Sequence, residues 1–303
     1  MDEKIMPEIS VIICTHNPRM DYLERVLVGL RGQSFPLLRW ELLIIDNKSE
    51  EPLAGRLDLG WHPQARVVRE EELGLTRARL RGIKESRGGL VVFVDDDNVL
   101  DNDYLKAAMD ISIKHPNLGA WSGQVLPEFE IEPPQEIVPF LGVLCIREIS
   151  KDIWGNSANP AFLPFGAGMC VRRDVLLKYE RDLLNNSARI LLGRRGNSLV
   201  SSEDLDMGLC CINMGFGTGL FKNLLITHLI PKRRLSREYI LKLIEDSACG
   251  QVIMEREHGL SAAKSISRID KLVEGYKFLL ASPMQKAVAA ARERGAKRAA
   301  SKL

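Results

Sequence analysis

The chain of 303 residues is 45% hydrophobic and 27% charged and carries a net charge of +2. That is ordinary globular composition, enough for one large domain or two packed halves, and its balance excludes a global electrostatic pull toward nucleic acid or anionic lipid. The longest apolar runs are strand-sized, far short of the roughly 20 residues that cross a bilayer. The opening MDEKIMPEIS lacks the apolar core of a signal peptide. Six cysteines form no C-x-x-C, and several lie in apolar segments, where reduced, buried thiols are expected. The expected location is cytoplasmic, soluble or peripheral to a membrane.

In chain order, ISVIICT (Ile9 to Thr15) is a continuous apolar run rich in β-branched residues, and it predicts a strand. RMDYLERVLVGLRGQ follows, with Tyr22, Leu23, Val26, Leu27 and Leu30 at helical spacing. WELLIID (Trp40 to Asp46), the shorter ARVVRE, and LVVFVD (Leu90 to Asp95) read as further strands. Between the last two, LTRARLRGIKES predicts a helix with basic residues on its outer face. Asp103 stands as the N-cap of YLKAAMDISIKH. Strands apolar on both faces, alternating with helices, predict an α/β fold with a mostly parallel, Rossmann-like, doubly wound sheet and helices on both faces.

Beyond residue 125 the pattern changes. PEFEIEPPQEIVP reads as a connector, and NPAFLPFGAGMCVRRDVL as a glycine turn feeding a strand and a helix start. LLGRRGNSLVSSEDLDMGLCCINMGF is a polar loop, an acidic helix start and a glycine stop. From 231 onward the chain predicts helices. One stripe runs through Ile240, Leu243, Ile244, Ser247, Ala248 and Val252, another through Ile266, Ile269, Leu272, Val273, Tyr276 and Leu279. Three parts are expected: 1–125, 126–230, and a C-terminal helical extension, 231–303. In its tail, from Met284 to Leu303, Lys286, Arg292, Arg294, Lys297, Arg298 and Lys302 stand against Glu293 alone, a basic stretch suited to anionic lipid or to a partner.

Three strands end in polar residues: Thr15-His16-Asn17, Asp46-Asn47-Lys48-Ser49 and Asp95-Asp96-Asp97. In open α/β sheets ligands bind beyond the carboxyl ends of the strands, so these tips should share a crevice. The triple aspartate poses a charge problem. Close carboxylates repel, and desolvation worsens the repulsion. A hard divalent cation, Mg²⁺ or Mn²⁺, removes it and commonly shares its remaining positions with phosphate and water.

These stretches together resemble the nucleotide-binding half of family 2 glycosyltransferases, which have the A-type glycosyltransferase fold. The resemblance rests on the T-x-N strand end, the D-N-x-S turn, the A-R segment and the D-x-D strand end, in that order across residues 8–125. It implies that Thr15, Asn17 and Asp46 lie along the nucleotide, with Asp46 on the base or ribose. It also implies that Arg77 or Arg79 approaches the nucleotide, although Leu80 stands where the family often has asparagine. In the D-x-D pair, Asp97 is the first choice as metal ligand, then Asp95; Asp95 or Asp96 holds the ribose. Further along, Gly166, Ala167 and Gly168 fall at a loop beneath the donor sugar. Glu203 and Asp204 match the family's E-D segment, with Ser202 in place of its usual glycine. There Asp204 would be the general base, Glu203 would orient acceptor or base, and Asp206 is the alternative base. His228 is a further metal ligand or diphosphate contact. The cluster at Arg233 and Arg234 can close over a diphosphate.

The expected activity is a metal-dependent, inverting transfer from a nucleotide-diphosphate sugar, with UDP as the first choice, to a saccharide, lipid-linked or protein acceptor. The Q-x-x-R-W motif of processive members is absent after E-D, so one sugar per encounter is expected. No nucleic-acid partner is expected. Two rivals remain at this level. The stretch VVFVDDDNV also fits a haloacid-dehalogenase-type phosphohydrolase with Asp95 as nucleophile, and a catalytically inactive nucleotide-sugar-binding protein would retain the same motifs. A nicotinamide-dependent enzyme fits poorly, because THNPR replaces G-x-G-x-x-G after the first strand.

Overall fold

The computed structural model describes residues 6–260 and 281–302. The first part of the chain runs β1 (Ile9–Thr15), α1 (Met20–Arg31), β2 (Trp40–Asn47), β3 (Ala65–Glu70), α2 (Leu75–Glu85) and β4 (Leu90–Asp95). These four strands are parallel and ordered β3-β2-β1-β4. The chain steps outward from β1 to β3, then returns to the other side of β1. That reversal opens a crevice above the carboxyl ends of β1 and β4. Every residue of β2 is buried, whereas β3, at the sheet edge, is half-buried throughout.

The remaining elements are β5 (Asn98–Leu100), α3 (Tyr104–Lys114), β6 (Leu118–Phe129), β7 (Ile153–Gly155), β8 (Cys170–Arg172), α4 (Arg173–Leu184), α5 (Ser187–Ile190), α6 (Glu203–Asn213), β9 (Gly217–Ile230), α7 (Arg237–Glu257) and α8 (Pro283–Lys302). The sheet continues β4-β8-β6-β9-β5, with β7 also on β9. Here it is mixed: β8 is antiparallel to β4 and β6, β5 and β7 are antiparallel to β9, and β6 and β9 are parallel. An antiparallel neighbour can be reached through a tight turn, whereas a parallel one needs a long crossover. The strands of this half are mostly short, and they follow turns and loops.

Side chains alternate between the two covered faces, as the period of a strand requires. Ile9, Val11 and Ile13 pack with Leu23, Val26 and Leu30 of α1 and Leu105 and Ala108 of α3. Ile12, Leu43 and Ile45 pack on the other face with Ala78 and Ile83 of α2, Val175 and Leu176 of α4, and Met207 of α6. Two details depart from expectation. Asp103 sits at the N-cap of α3, but its side chain makes no cap bond and instead accepts from the Ser34 hydroxyl at 2.5 Å. On α2 the basic residues do not all face outward, because Arg79 is buried.

The α7 stripe packs as expected in its first half, where Ile240, Leu243 and Ile244 meet Met284, Val288 and Ala291 of α8; beyond it Ser247, Ala248 and Val252 are half-buried, and Cys249, Gly250 and Ile253 are buried in their place. The stripe from Ile266 to Leu279 lies outside the described residues. Part of the basic tail is engaged within the fold, since Arg294 and Arg298 pair with Glu245 and Asp246 of α7. All six cysteines are unbridged. No described helix is long and apolar enough to cross a membrane.

Candidate active site

The parallel register brings the tips level. Thr15 stands opposite Asp46, and Cys14 opposite Asp95. An open cleft of roughly 240 Å³ lies above them, lined by Thr15, Asn47, Asp95, Asp96 and Asp97 on the strand side. Of the expected nucleotide contacts on the β1 and β2 tips, two do not line it. Asn17, in the left-handed region (φ 48°), donates its backbone N–H to Ser49 Oγ at 2.9 Å and accepts from Glu50 N at 2.8 Å. Asp46 accepts from Ser49 N and Leu53 N, both at 3.0 Å, and from Arg69 at 2.8 Å. Burial pushes the Asp46 carboxyl up, but these hydrogen bonds outweigh it and hold it below its ordinary value. Both residues clasp the β1 and β2 tips together. Asn47, which the sequence marks only as part of a turn, takes the cleft position and accepts from Gly74 N at 2.8 Å.

The three aspartates meet three environments. Asp95 is 40% exposed. Asp96 accepts from the Thr15 hydroxyl, and burial, with the neighbouring Asp97 charge, pushes it up to about 7. Asp97 is buried, yet Arg234 at 2.8 Å and His228 at 3.7 Å outweigh desolvation and hold it well below the usual carboxylate range. The repulsion among the three is thus relieved in two ways: one carboxyl is driven toward its neutral form, and another is tied to a guanidinium.

Across the cleft, α6 begins at Glu203, and its first turn holds Glu203, Asp204 and Asp206. The helix dipole favours acids there, but burial opposes their charge. Glu203 is pushed up to about 7 by burial, and Asp204 is raised by the same cause. Asp204 accepts from Gly166 N at 2.7 Å and from Leu205 N at 2.8 Å. Asp206 points elsewhere. It is fully buried between Arg189 at 2.9 Å and His258 at 2.6 Å, away from the cleft lining, which removes it as an alternative base.

Arg79 joins the two sides. Its buried guanidinium lies 3.1 Å from Glu203 and 3.9 Å from Asp95, over the Phe93 ring at 5.1 Å. Gly166 makes room for it, because a Cβ at that position would fall 2.6 Å from Arg79 Nη2. Ala167 also lines the cleft. Gly168 does not; its positive φ of 65° turns the chain beneath, where its carbonyl accepts from Tyr104 Oη at 2.7 Å. Arg77 and Arg233 lie outside the lining. Arg77 pairs with Glu72 at 2.8 Å, and Arg233 is exposed. Arg234 and His228 do line the cleft. Sequence reasoning misses Arg194, Arg195, Leu144 and Cys145, which line it as well. The paired arginines in GRRGN, just ahead of SSED, are the one signal that could point there.

The cation is expected at Asp97, Asp95 and His228. Among the described residues no group of three or more His, Cys, Asp or Glu is arranged to hold one. Two donors nonetheless converge, since Asp97 Oδ2 and His228 Nε2 are 3.7 Å apart. Asn98 Oδ1 and His228 Nδ1 are buried without hydrogen-bond partners. A carboxylate–imidazole pair suits Mn²⁺ or Mg²⁺ when phosphate and water complete the shell. The residues offer a partial site only if Arg234 moves, because its guanidinium holds the same Asp97 oxygen at 2.8 Å and lies 3.2 Å from His228 Nε2.

The family model described as glycosyl transferase family 2 matches residues 10–154. The glucosyl-dolichyl phosphate glucuronosyltransferase of Haloferax volcanii is 22% identical over 216 residues, 70% of this chain and 64% of that protein. An uncharacterized protein of Sinorhizobium fredii, y4gI, is 31% identical over 115 residues, 37% of this chain and 12% of that protein. The crystal structure of S. aureus TarS 1-349 aligns with a TM-score of 0.49 at 17% identity, covering 96% of this chain and 89% of that one. The chain thus spans less than two thirds of the length of these curated relatives. Over residues 10–154, just under half of the chain, it is similar to glycosyl transferase family 2, and the strand tips in that segment stand in the family's order.

Proposed function

We propose that the protein moves a glycosyl group from a nucleotide-diphosphate sugar, with UDP as the nucleotide, to an acceptor hydroxyl with inversion. The acceptor is a saccharide, free, lipid-linked or protein-bound, as in polysaccharide or glycoconjugate assembly, and one sugar is added per encounter. The observation that carries this reading is Arg79. One buried guanidinium bridges Asp95 on the strand tip and Glu203 on the helix start, so the nucleotide motif and the base motif face one cleft.

In this mechanism Thr15, Asn47 and Asp96 line the nucleoside side. Asp204, fixed by the Gly166 and Leu205 amides, takes the proton from the acceptor hydroxyl. The acceptor oxygen forms its bond to the anomeric carbon as the bond to the diphosphate oxygen breaks, and the diphosphate leaves with the electron pair. Holding both reactants in one cleft removes much of the entropic barrier. Glu203 and Arg79 keep the base oriented, and Arg234 adds positive charge near the leaving group. Asp97 and His228 would hold a divalent cation, which when bound supplies further charge stabilisation to the diphosphate. The phosphohydrolase reading has no support from the family match.

Thermal unfolding tests the ligand class. UDP should raise the melting temperature with Mn²⁺ or Mg²⁺ and fail to do so with EDTA. Equal shifts under both conditions would remove the metal from this reading. No shift with any nucleoside diphosphate would remove the nucleotide. Binding without transfer to any acceptor would leave the inactive binding protein.

A further inference from the structure

The loop between α5 and α6 delivers Arg194 and Arg195 to the cleft. Its start is docked on α2, where Leu75 N donates to Arg194 O at 2.8 Å. Four arginines line the cleft, and two of them, Arg79 and Arg234, are tied to carboxylates. Arg194, half-buried, and Arg195, exposed at the rim, have no ion pair among the described residues. Arg194 acts on Asp97 and Glu203 only through space, lowering both carboxyls, so its donors are not committed to an ion pair, and a planar fork of donors suits phosphate oxygens.

The far end of the same loop is fixed from the C-terminal helices. Leu199 N donates to Asp246 Oδ2 at 2.6 Å. Asp246 lies in α7 and is 1% exposed. Its other oxygen accepts from Arg298 of α8 at 2.5 Å. One turn along α7, a Cβ on Gly250 would fall 2.5 Å from Ser202 Oγ and 2.9 Å from Val200 Cγ1. The helix therefore lies directly against the residues that lead into Glu203. Lys242 also reaches Asp246, at 3.4 Å, but it is half-exposed, whereas Arg298 makes the short bond at 2.5 Å. A buried aspartate that loses its main cation partner is disfavoured, so Arg298 sets Asp246, and Asp246 sets the loop.

We propose that Asp246 and Arg298 are positioning residues for an anion-binding loop, in which Arg194 and Arg195 take the phosphate groups of the nucleotide. The inference rests on the reading of the cleft as a nucleotide-sugar site. It gives the helical extension, which lies outside the matched segment 10–154, a part in substrate binding.

The test is calorimetric titration of the full chain with UDP and with UMP, in Mn²⁺. The wild type should prefer UDP. The double variant Arg194→Ala/Arg195→Ala and the single variant Arg298→Ala should each lose UDP affinity by roughly tenfold or more, while UMP affinity changes by less than about twofold. Arg298→Lys should recover most of the loss. Asp246→Asn, which retains an acceptor for Leu199 but not the charge, should behave like Arg298→Ala, and it carries the test if Arg298→Ala does not fold. A lower melting temperature with an unchanged UDP-to-UMP ratio would mean that α7 and α8 are merely structural, and would overturn the proposal. Wild-type binding of neither nucleotide would instead overturn the reading of the cleft itself.

Discussion

The acidic strand tip and the acidic helix start place the same chemistry on opposite walls of one cleft, yet they hold it differently. At the tip, Asp97 has its own cation, Arg234 at 2.8 Å, and stays ionised although buried. At the helix start, Glu203 and Asp204 share Arg79 with Asp95, and burial raises both carboxyls. The difference suits different tasks. A group that must stay anionic toward a cation needs a partner of its own. A base that must accept a proton works best when its proton affinity approaches the working pH. One cation divided among several carboxylates produces that condition.

The largest expected effect separates the two walls. Asp204→Asn should lower turnover by about a thousandfold and leave nucleotide binding intact, read from initial rates and titration. Normal turnover would place the base elsewhere. Arg79→Gln attacks the bridge, and both walls should respond: stability falls by about 3 kcal/mol in urea unfolding, and turnover falls with it. Loss of stability without loss of turnover would show that the bridge is only structural.

The pH profile comes next in size. The proposed base, Asp204, acts only when ionised, and burial raises its carboxyl above the ordinary carboxylate range. The rate should therefore fall about tenfold per pH unit on the acid side, with the fall setting in at a higher pH than for an ordinary carboxylate, and level off above it. Folding stability has the opposite sign. A carboxyl raised on folding binds more protons in the folded state, so stability declines as pH rises from the ordinary carboxylate range to about 7. A flat rate from pH 5 to 8 would contradict the assignment. The smallest effect should come from Arg77→Ala. Arg77 pairs with exposed Glu72, so turnover should stay within about twofold of wild type. A large loss would return Arg77 to the cleft.

Much of the first wall is legible in the residues alone. Apolar runs with no polar face define parallel strands, and their carboxyl ends must lie together when such strands pair. That logic locates Thr15 and the aspartates. It fails at Asn17 and Asp46, because a turn motif does not say whether its polar atoms face a ligand or the turn itself. Their hydrogen bonds to Ser49, Glu50 and Leu53 settle that here. It also does not separate Arg77 from Arg79, two positions apart on one helix, where a rotation of about 200° decides between solvent and core. The second wall is less legible. Arg194, Leu144 and Cys145 sit in irregular segments whose path depends on what they dock against, as the loop at Arg194 docks on Leu75 and α7.

By itself, then, the sequence determined the four parallel strands of the first half, the order of the acidic motifs and the resemblance to family 2 glycosyltransferases, because hydrophobic periodicity and residue spacing are local properties. Tertiary structure alone decided which carboxylates share a cation, which arginines enter the cleft, and that the last helix reaches the loop before Glu203 through Asp246. Burial and pairing depend on residues distant in the chain, and both the proton affinity of a carboxyl and the reach of a guanidinium are set by those neighbours.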